Sequence, residues 1–404
     1  MNAVDESYIE ELHRSLDERT RGRVDGVIDR IVSVKEQGGK VAVVTGSGPN
    51  VHEGVTTLLA ELIEKGIVDG VITSAAVVAH EMAGSLDRVK RVDGRALGMG
   101  EDILPRGDLF EVTLMDENTL AMIEEEMIVD NGLIEKVLGM DGDVIIKAAG
   151  NMAYPMGLRT ERLAGEVERL ARIMGCTFEY MAGLGADPRT MIGAGTRSGV
   201  PVIVSVPQLI GGGMVGLAIG DSVSFRRRSA LVASVLDDAS VVIESGIALS
   251  QEIHDGPFEI YTGHGIWSAW EGVQTYSLKD KYLVRIDLDA NLEKVWEIEK
   301  SGGKVQESVD RGLPKTKTFR VPFRMEMSGF ARLEGSVPIV ADLGVVWPVL
   351  AYGVSEKLHL DLGFISYPQE SDQGVNMRDW IVEHVGILDR RKMFEKAQPF
   401  HGSP

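Results

Sequence analysis

Gly39-Lys-Val-Ala-Val-Val-Thr-Gly-Ser-Gly-Pro-Asn50, running into Val51-His-Glu-Gly-Val-Thr-Thr-Leu-Leu-Ala-Glu-Leu-Ile63, reads as a buried strand that breaks into a glycine-rich turn and then a helix. A short apolar run bounded by glycine is the pattern of a parallel strand covered on both faces. Gly46, Ser47 and Gly48 form the turn, where glycine lets the backbone bend sharply and approach a ligand. The helix that follows offers N–H groups and the positive end of its dipole, which suit a phosphate. Neither G-x-G-x-x-G nor G-x-x-x-x-G-K-[ST] is present, so an ordinary strand-to-helix turn and a cofactor loop are equally open from this stretch alone.

The pattern repeats. Further strand candidates lie at 70–74, 143–148, 200–206, 240–244, 259–262, 283–288 and 337–341, besides 41–45, with helical patterns between most of them. This alternation predicts an α/β fold with a doubly wound, mostly parallel, Rossmann-like sheet. Such sheets take ligands beyond the carboxyl ends of their strands. The residues there include Thr73, Ser74 and Ala75, the Pro207-Gln208 pair, Gly246, Asp287, and Ala341 with Asp342. Asp287 closes its strand either as an acceptor for the ribose hydroxyls of a dinucleotide or as a solvated strand end, while Asp289 reads as a helix N-cap. Asp342 ends an apolar run and needs donors, from a helix start or from a ligand.

Composition sets the class. A chain of 404 residues, 44% hydrophobic and 25% charged, has core enough for one large or two modest domains. A formal net charge of −19 argues against nucleic acid, whose partners carry basic patches. The single cysteine, Cys176, excludes an internal disulfide and points to a reducing cytoplasm. Residues 1–38 read as one or two amphipathic helices, not as a signal peptide. The apolar region 201–220 is interrupted by Pro207, Gln208 and Gly211-Gly212-Gly213, so a strand, loop and helix start are expected there and no membrane partner.

Two His-Glu pairs, His52-Glu53 and His80-Glu81, follow the first two strands, and neighbouring parallel strands bring both to one crevice. Histidine is a proton carrier near neutrality, although a lone histidine is commonly structural. No H-E-x-x-H spacing occurs, so no metal is expected. Gly263-His264-Gly265-Ile-Trp267-Ser-Ala-Trp270 reads as a substrate lid or as a loop anchored in the core by its tryptophans. Residues 291–332 read as a charged helix, a loop and a β-rich insertion, serving as a cap or an oligomer arm. They separate 39–290 from 333–396, and 397–404 form a tail.

Glu64-Lys-Gly-Ile-Val-Asp-Gly-Val-Ile-Thr-Ser-Ala-Ala76, Pro201-Val-Ile-Val-Ser205 and Pro338-Ile-Val-Ala-Asp-Leu-Gly-Val-Val-Trp-Pro-Val-Leu350 resemble deoxyhypusine synthase. Val51-His52-Glu53-Gly54, Ala79-His80-Glu81, Arg285-Ile-Asp-Leu-Asp-Ala290 and Ala341-Asp-Leu-Gly344 are similar to turns and strand ends of the archaeal ornithine cyclodeaminase family, built on the same scaffold. The resemblance implies NAD over the strand ends, touching Gly48, Thr73, Ser74, Ala75, Gly246, Thr262, Ala341 and Asp342. It implies an amino acid or amine substrate, transient hydride removal through an imine, and a homo-oligomer, dimer or tetramer. The chain departs from deoxyhypusine synthase where that enzyme needs an acid (Gln208 to Gly211 here), paired histidines (Ser245 to Gln251) and an acid-rich polyamine segment (Gly263 to Gly272). Its nucleophilic lysine falls near Lys279 and Lys281 without a fixed register, with Lys147 as a rival that reads otherwise as half of a structural ion pair; a cyclodeaminase site implies a cation for the substrate carboxylate, for which Arg159 is a candidate, and aminoalkyl transfer or a non-catalytic scaffold are the alternatives. Gln208, His264, Trp267 and Trp270 are the expected substrate contacts.

Overall fold

A computed structural model of the protein describes residues 4–46, 48–205, 210–246, 278–322 and 333–397. Its strands are β1 (Lys40–Thr45), β2 (Gly70–Thr73), β3 (Leu86–Asp93), β4 (Leu109–Thr113), β5 (Asp143–Ala148), β6 (Val202–Val204), β7 (Ala239–Ser245), β8 (Tyr282–Asp287) and β9 (Ser336–Val340). Six form one sheet in the order β6-β2-β1-β7-β8-β9, with every neighbouring pair parallel. Counted within this sheet the order is 3-2-1-4-5-6, the doubly wound arrangement. Its order reverses between β1 and β7, so the ligand crevice belongs at their carboxyl ends.

Strand periodicity explains why the sheet is covered on both sides. Val41 and Val43 join one core cluster, whereas Ala42 and Val44 join another on the opposite face. The first face is covered by helices that include Glu18–Glu36, Val55–Glu64 and Leu343–Lys357, the second by Phe225–Asp238 and Asn291–Lys300. Val41, Val43, Val44, Val71 and Ile72 are no more than 1% exposed, so these strands lose essentially all contact with water and contribute the dominant hydrophobic term. Asp17 caps the helix Glu18–Glu36 by accepting from the Arg19 and Thr20 N–H groups.

Three expectations change. Residues 143–148 do form a strand, but β5 lies outside the parallel sheet and pairs antiparallel with β3 in a second sheet ordered β4-β3-β5. The described part of 291–332 is helical, as Asn291–Lys300, Lys304–Asp310 and Lys315–Phe319, and the small second sheet lies at 86–148 instead. The run Arg226-Arg227-Arg228 reads in sequence most simply as a solvated helix face, but Arg228 is fully buried and pairs with Glu179 while donating to the Val204 carbonyl at 3.0 Å. The strand expected at 259–262 lies outside the described residues.

The second sheet sits beside the carboxyl ends of the first. The short helix Pro49–His52 packs on β5, and the helix Asp372–His384 packs on β3. Among the described residues no helix is long and apolar enough to cross a membrane, and no group of three His, Cys, Asp or Glu is arranged to hold a metal.

Candidate functional site

The turn after β1 opens the site. Gly48 has φ 67° and ψ −123°, a left-handed conformation that disfavours any side chain, and a Cβ placed there would meet nothing within 4 Å. Gly246, after β7, has φ 99° and equally open space. Both switch-point strands thus end in glycine backbone with no side chain, the condition for close approach of a flat cofactor such as NAD. Asn50 pins the two ends together: its Nδ2 donates to the Ser245 carbonyl at 3.2 Å, and Trp347 Nε1 donates to Ser245 Oγ at 2.9 Å.

The other expected cofactor contacts are divided. Ser74 accepts from the Val77 N–H at 3.3 Å and so caps the helix Ala75–Met82, with Thr73 and Ala75 buried beside it. In doubly wound dinucleotide folds an acid about 20 residues beyond the glycine turn takes the ribose hydroxyls; after β2 this chain carries Thr73 and Ser74. Its strand-end acids lie on the other half of the sheet. Asp287 accepts from the Asp289 N–H and Asp342 from the Gly344 N–H, each at 2.8 Å, and the Ala341 N–H donates to the Asp287 carbonyl at 3.2 Å. Ser47, Gln208, Thr262, His264, Trp267 and Trp270 lie outside the described residues.

Glu53 carries the main chemical potential of the crevice. It is 6% exposed and accepts from the Gln369 N–H at 2.6 Å. Burial, reinforced by the nearby Asp342 and Glu370, pushes its carboxyl up to about 7, against the opposing pull of that N–H and of Arg378. Gly344 leaves room for this carboxylate, since a Cβ there would stand 2.5 Å from Glu53 Oε2 and displace it. His52, half-buried, is held below its usual range by burial, by the positive charge of Arg378 and by His80. His80 is held low mainly by burial and also by Lys147, while its Nδ1 sits 2.8 Å from the Ala149 carbonyl. Both imidazoles are thus biased toward the neutral form.

Glu81, the partner of His80 in sequence, has another occupation. It is 1% exposed and accepts from the Met191 and Ile192 N–H groups at 2.7 and 3.1 Å, capping the helix Met191–Ser198. Burial raises it to about 7 as well, yet it is walled in by that helix. Lys147 pairs with Glu111 across the small sheet, the structural ion pair rather than a free amine, and borders His80 and Asp87 electrostatically. Lys281 precedes β8, donates to the Asp237 carbonyl and, with Lys279, stands at the amino edge of the parallel sheet, opposite Gly48. Arg159 is paired with Glu126 at 2.7 Å.

Arg378 is the residue that sequence reading missed. Its helix brings it beside His52 and Glu53, where burial lowers its own proton affinity, and its buried Nε has no hydrogen-bond partner among the described residues. In sequence it is one polar residue in Asp372–His384, and nothing local marks it. Asp87, also missed, accepts from the Gly150 N–H at 2.8 Å and is raised to about 7 by burial.

No family model matches the chain, and no curated protein matches it. Solved structures that resemble it include AgrE in ternary complex with ornithine and NAD+ (TM-score 0.41, 13% identity, 85% of this chain and 34% of that one). Others are the arginine dihydrolase ArgZ of the cyanobacterial ornithine-ammonia cycle (TM-score 0.39, 13% identity, 84% and 34%) and a conserved LOR/SDH protein from Methanococcus maripaludis S2 (TM-score 0.40, 13% identity, 83% and 70%). The chain thus spans about a third of the ArgZ and AgrE chains. The fold is defined by the strand order.

Proposed function

We propose that the protein is an NAD-dependent enzyme that acts on an amino acid or amine by transient hydride removal, in the manner of an ornithine cyclodeaminase. One observation supports this most: just beyond the glycine turn that follows β1, at the switch point of a 3-2-1-4-5-6 sheet, His52 and Glu53 lie close enough to Arg378, and His52 to His80, for their charges to act on one another. Bound NAD would supply the hydride acceptor at the carbon bearing the amine. The chain's own residues do the rest. Arg378 donates Nη2 to the Ile146 carbonyl and keeps a buried Nε with no hydrogen-bond partner among the described residues, and its planar guanidinium suits a substrate carboxylate. Asp342 and Glu370, near Glu53, favour a substrate ammonium. Glu53, titrating near neutrality, takes the proton that the ammonium must lose, with His52 and His80 placed to relay it.

Aminoalkyl transfer of the deoxyhypusine type fits less well, because Lys147 is ion-paired and Lys279 and Lys281 lie at the opposite sheet edge. A homo-oligomer in the cytoplasm belongs to the same proposal. Native mass spectrometry for a copurified dinucleotide, followed by nicotinamide absorbance across a panel of amino acids and amines, tests it. Bound NAD that is reduced by an amino acid is the expected result. A protein indifferent to NAD overturns the proposal, NAD binding without reduction by any substrate leaves a non-catalytic scaffold, and borohydride trapping of a polyamine on a lysine favours the transferase.

A further inference from the structure

A second site stands apart from the crevice. A cleft of about 270 Å³ opens between the helix Met156–Met174, the end of Glu117–Glu126 and the start of Arg390–Lys396. Arg159, Arg162, Arg169 and Arg390 line it, against the carboxylates of Glu126 and Glu166. In a chain of net charge −19 this leaves two formal positive charges in one cleft.

The four guanidinium groups are not equivalent. Arg390 donates to Glu166 at 2.6 Å. Arg159, 1% exposed, donates Nε to Glu126 at 2.7 Å and Nη2 to the Leu388 carbonyl at 2.7 Å, but its buried Nη1 has no hydrogen-bond partner among the described residues. A buried donor on a charged group normally has an acceptor, because leaving it without one is costly. Arg162 and Arg169 are exposed and have no carboxylate partner among the described residues. They extend from the same helix, seven residues and so about two turns apart, on one face.

We propose that this cleft binds a phosphate-type dianion, whose charge matches the surplus and whose oxygens match the guanidinium forks. Arg159 Nη1 supplies the buried anchor, while Arg162 and Arg169 close over the anion from the solvent side. Because Arg390 begins the last described helix, the bound anion ties that helix to the core helix Met156–Met174.

Isothermal titration with inorganic phosphate, at ionic strength held constant with chloride, tests the site on the whole chain. Saturable binding at one site is expected, and the double substitution Arg162→Ala/Arg169→Ala, confined to exposed side chains, is expected to weaken it by at least about tenfold. Phosphate is also expected to slow amide exchange over 390–396 in the native protein and not in the double variant. Absence of saturable binding, or equal binding by native and variant proteins, overturns the proposal; the second result would place phosphate elsewhere, such as the β1 turn.

Discussion

The regions around His52-Glu53 and His80-Glu81 look alike in sequence and differ in what surrounds their carboxylates. Each pair follows a parallel strand, and burial raises both glutamates to about 7. Glu81, however, faces the start of the helix Met191–Ser198 and gives its oxygens to two backbone N–H groups. Glu53 faces a crevice shared with His52, Arg378, Asp342 and Glu370, and a single backbone N–H holds it. A raised carboxyl is thus a sign of burial first; function requires that the group also reach a space where substrate can stand.

The sharpest way to break this comparison is to remove each charge in turn. Glu53→Gln is expected to lower kcat/KM by about 10²–10⁴, the usual contribution of a positioned proton carrier. A turnover equal to that of the native protein would place the proton carrier elsewhere.

Glu81→Gln is expected to act on stability instead. The folded state binds the Glu81 proton more tightly than the unfolded chain, so this group's contribution is complete below pH 4.5 and lost as pH rises to about 7. That loss is of order 3 kcal/mol from the shift in proton affinity. Substitution removes it, so the variant's unfolding free energy relative to the native protein should rise across that window; Glu53 and Asp87 slope the same way in both proteins, and His52 and His80 oppose them. Denaturant melts at pH 4.5 and 7 read the difference, and parallel curves would contradict a buried Glu81.

A smaller effect is expected for Arg378→Gln. Loss of the substrate carboxylate contact should raise KM about tenfold with kcat nearly unchanged. His52, relieved of a neighbouring positive charge, should titrate at higher pH by NMR. An unchanged KM would detach Arg378 from substrate binding.

The six strands of the parallel sheet were legible because each is a short apolar run ending in a turn, and the pattern survives without knowledge of the partner strands. β3 was not. Leu86, Val89 and Val92 recur every third residue among charged ones, a helical spacing, yet the segment is extended, with one side against β5 and the other against β4. The turn glycines and the His-Glu pairs were visible as residues, but the division of labour between Glu53 and Glu81 was not, because it depends on a helix about 110 residues away. Arg378 enters the site by tertiary packing of Asp372–His384 on β3, and no local signal foretells that.

The pH profile of nicotinamide reduction in native, Glu53→Gln and Glu81→Gln proteins tests the central claim most directly. Since Glu53 must be unprotonated to accept a proton, the native rate should climb with pH through about 7. That limb should persist in Glu81→Gln and vanish in Glu53→Gln. A limb that survives in Glu53→Gln, or that disappears in Glu81→Gln, would contradict the assignment of the crevice to Glu53.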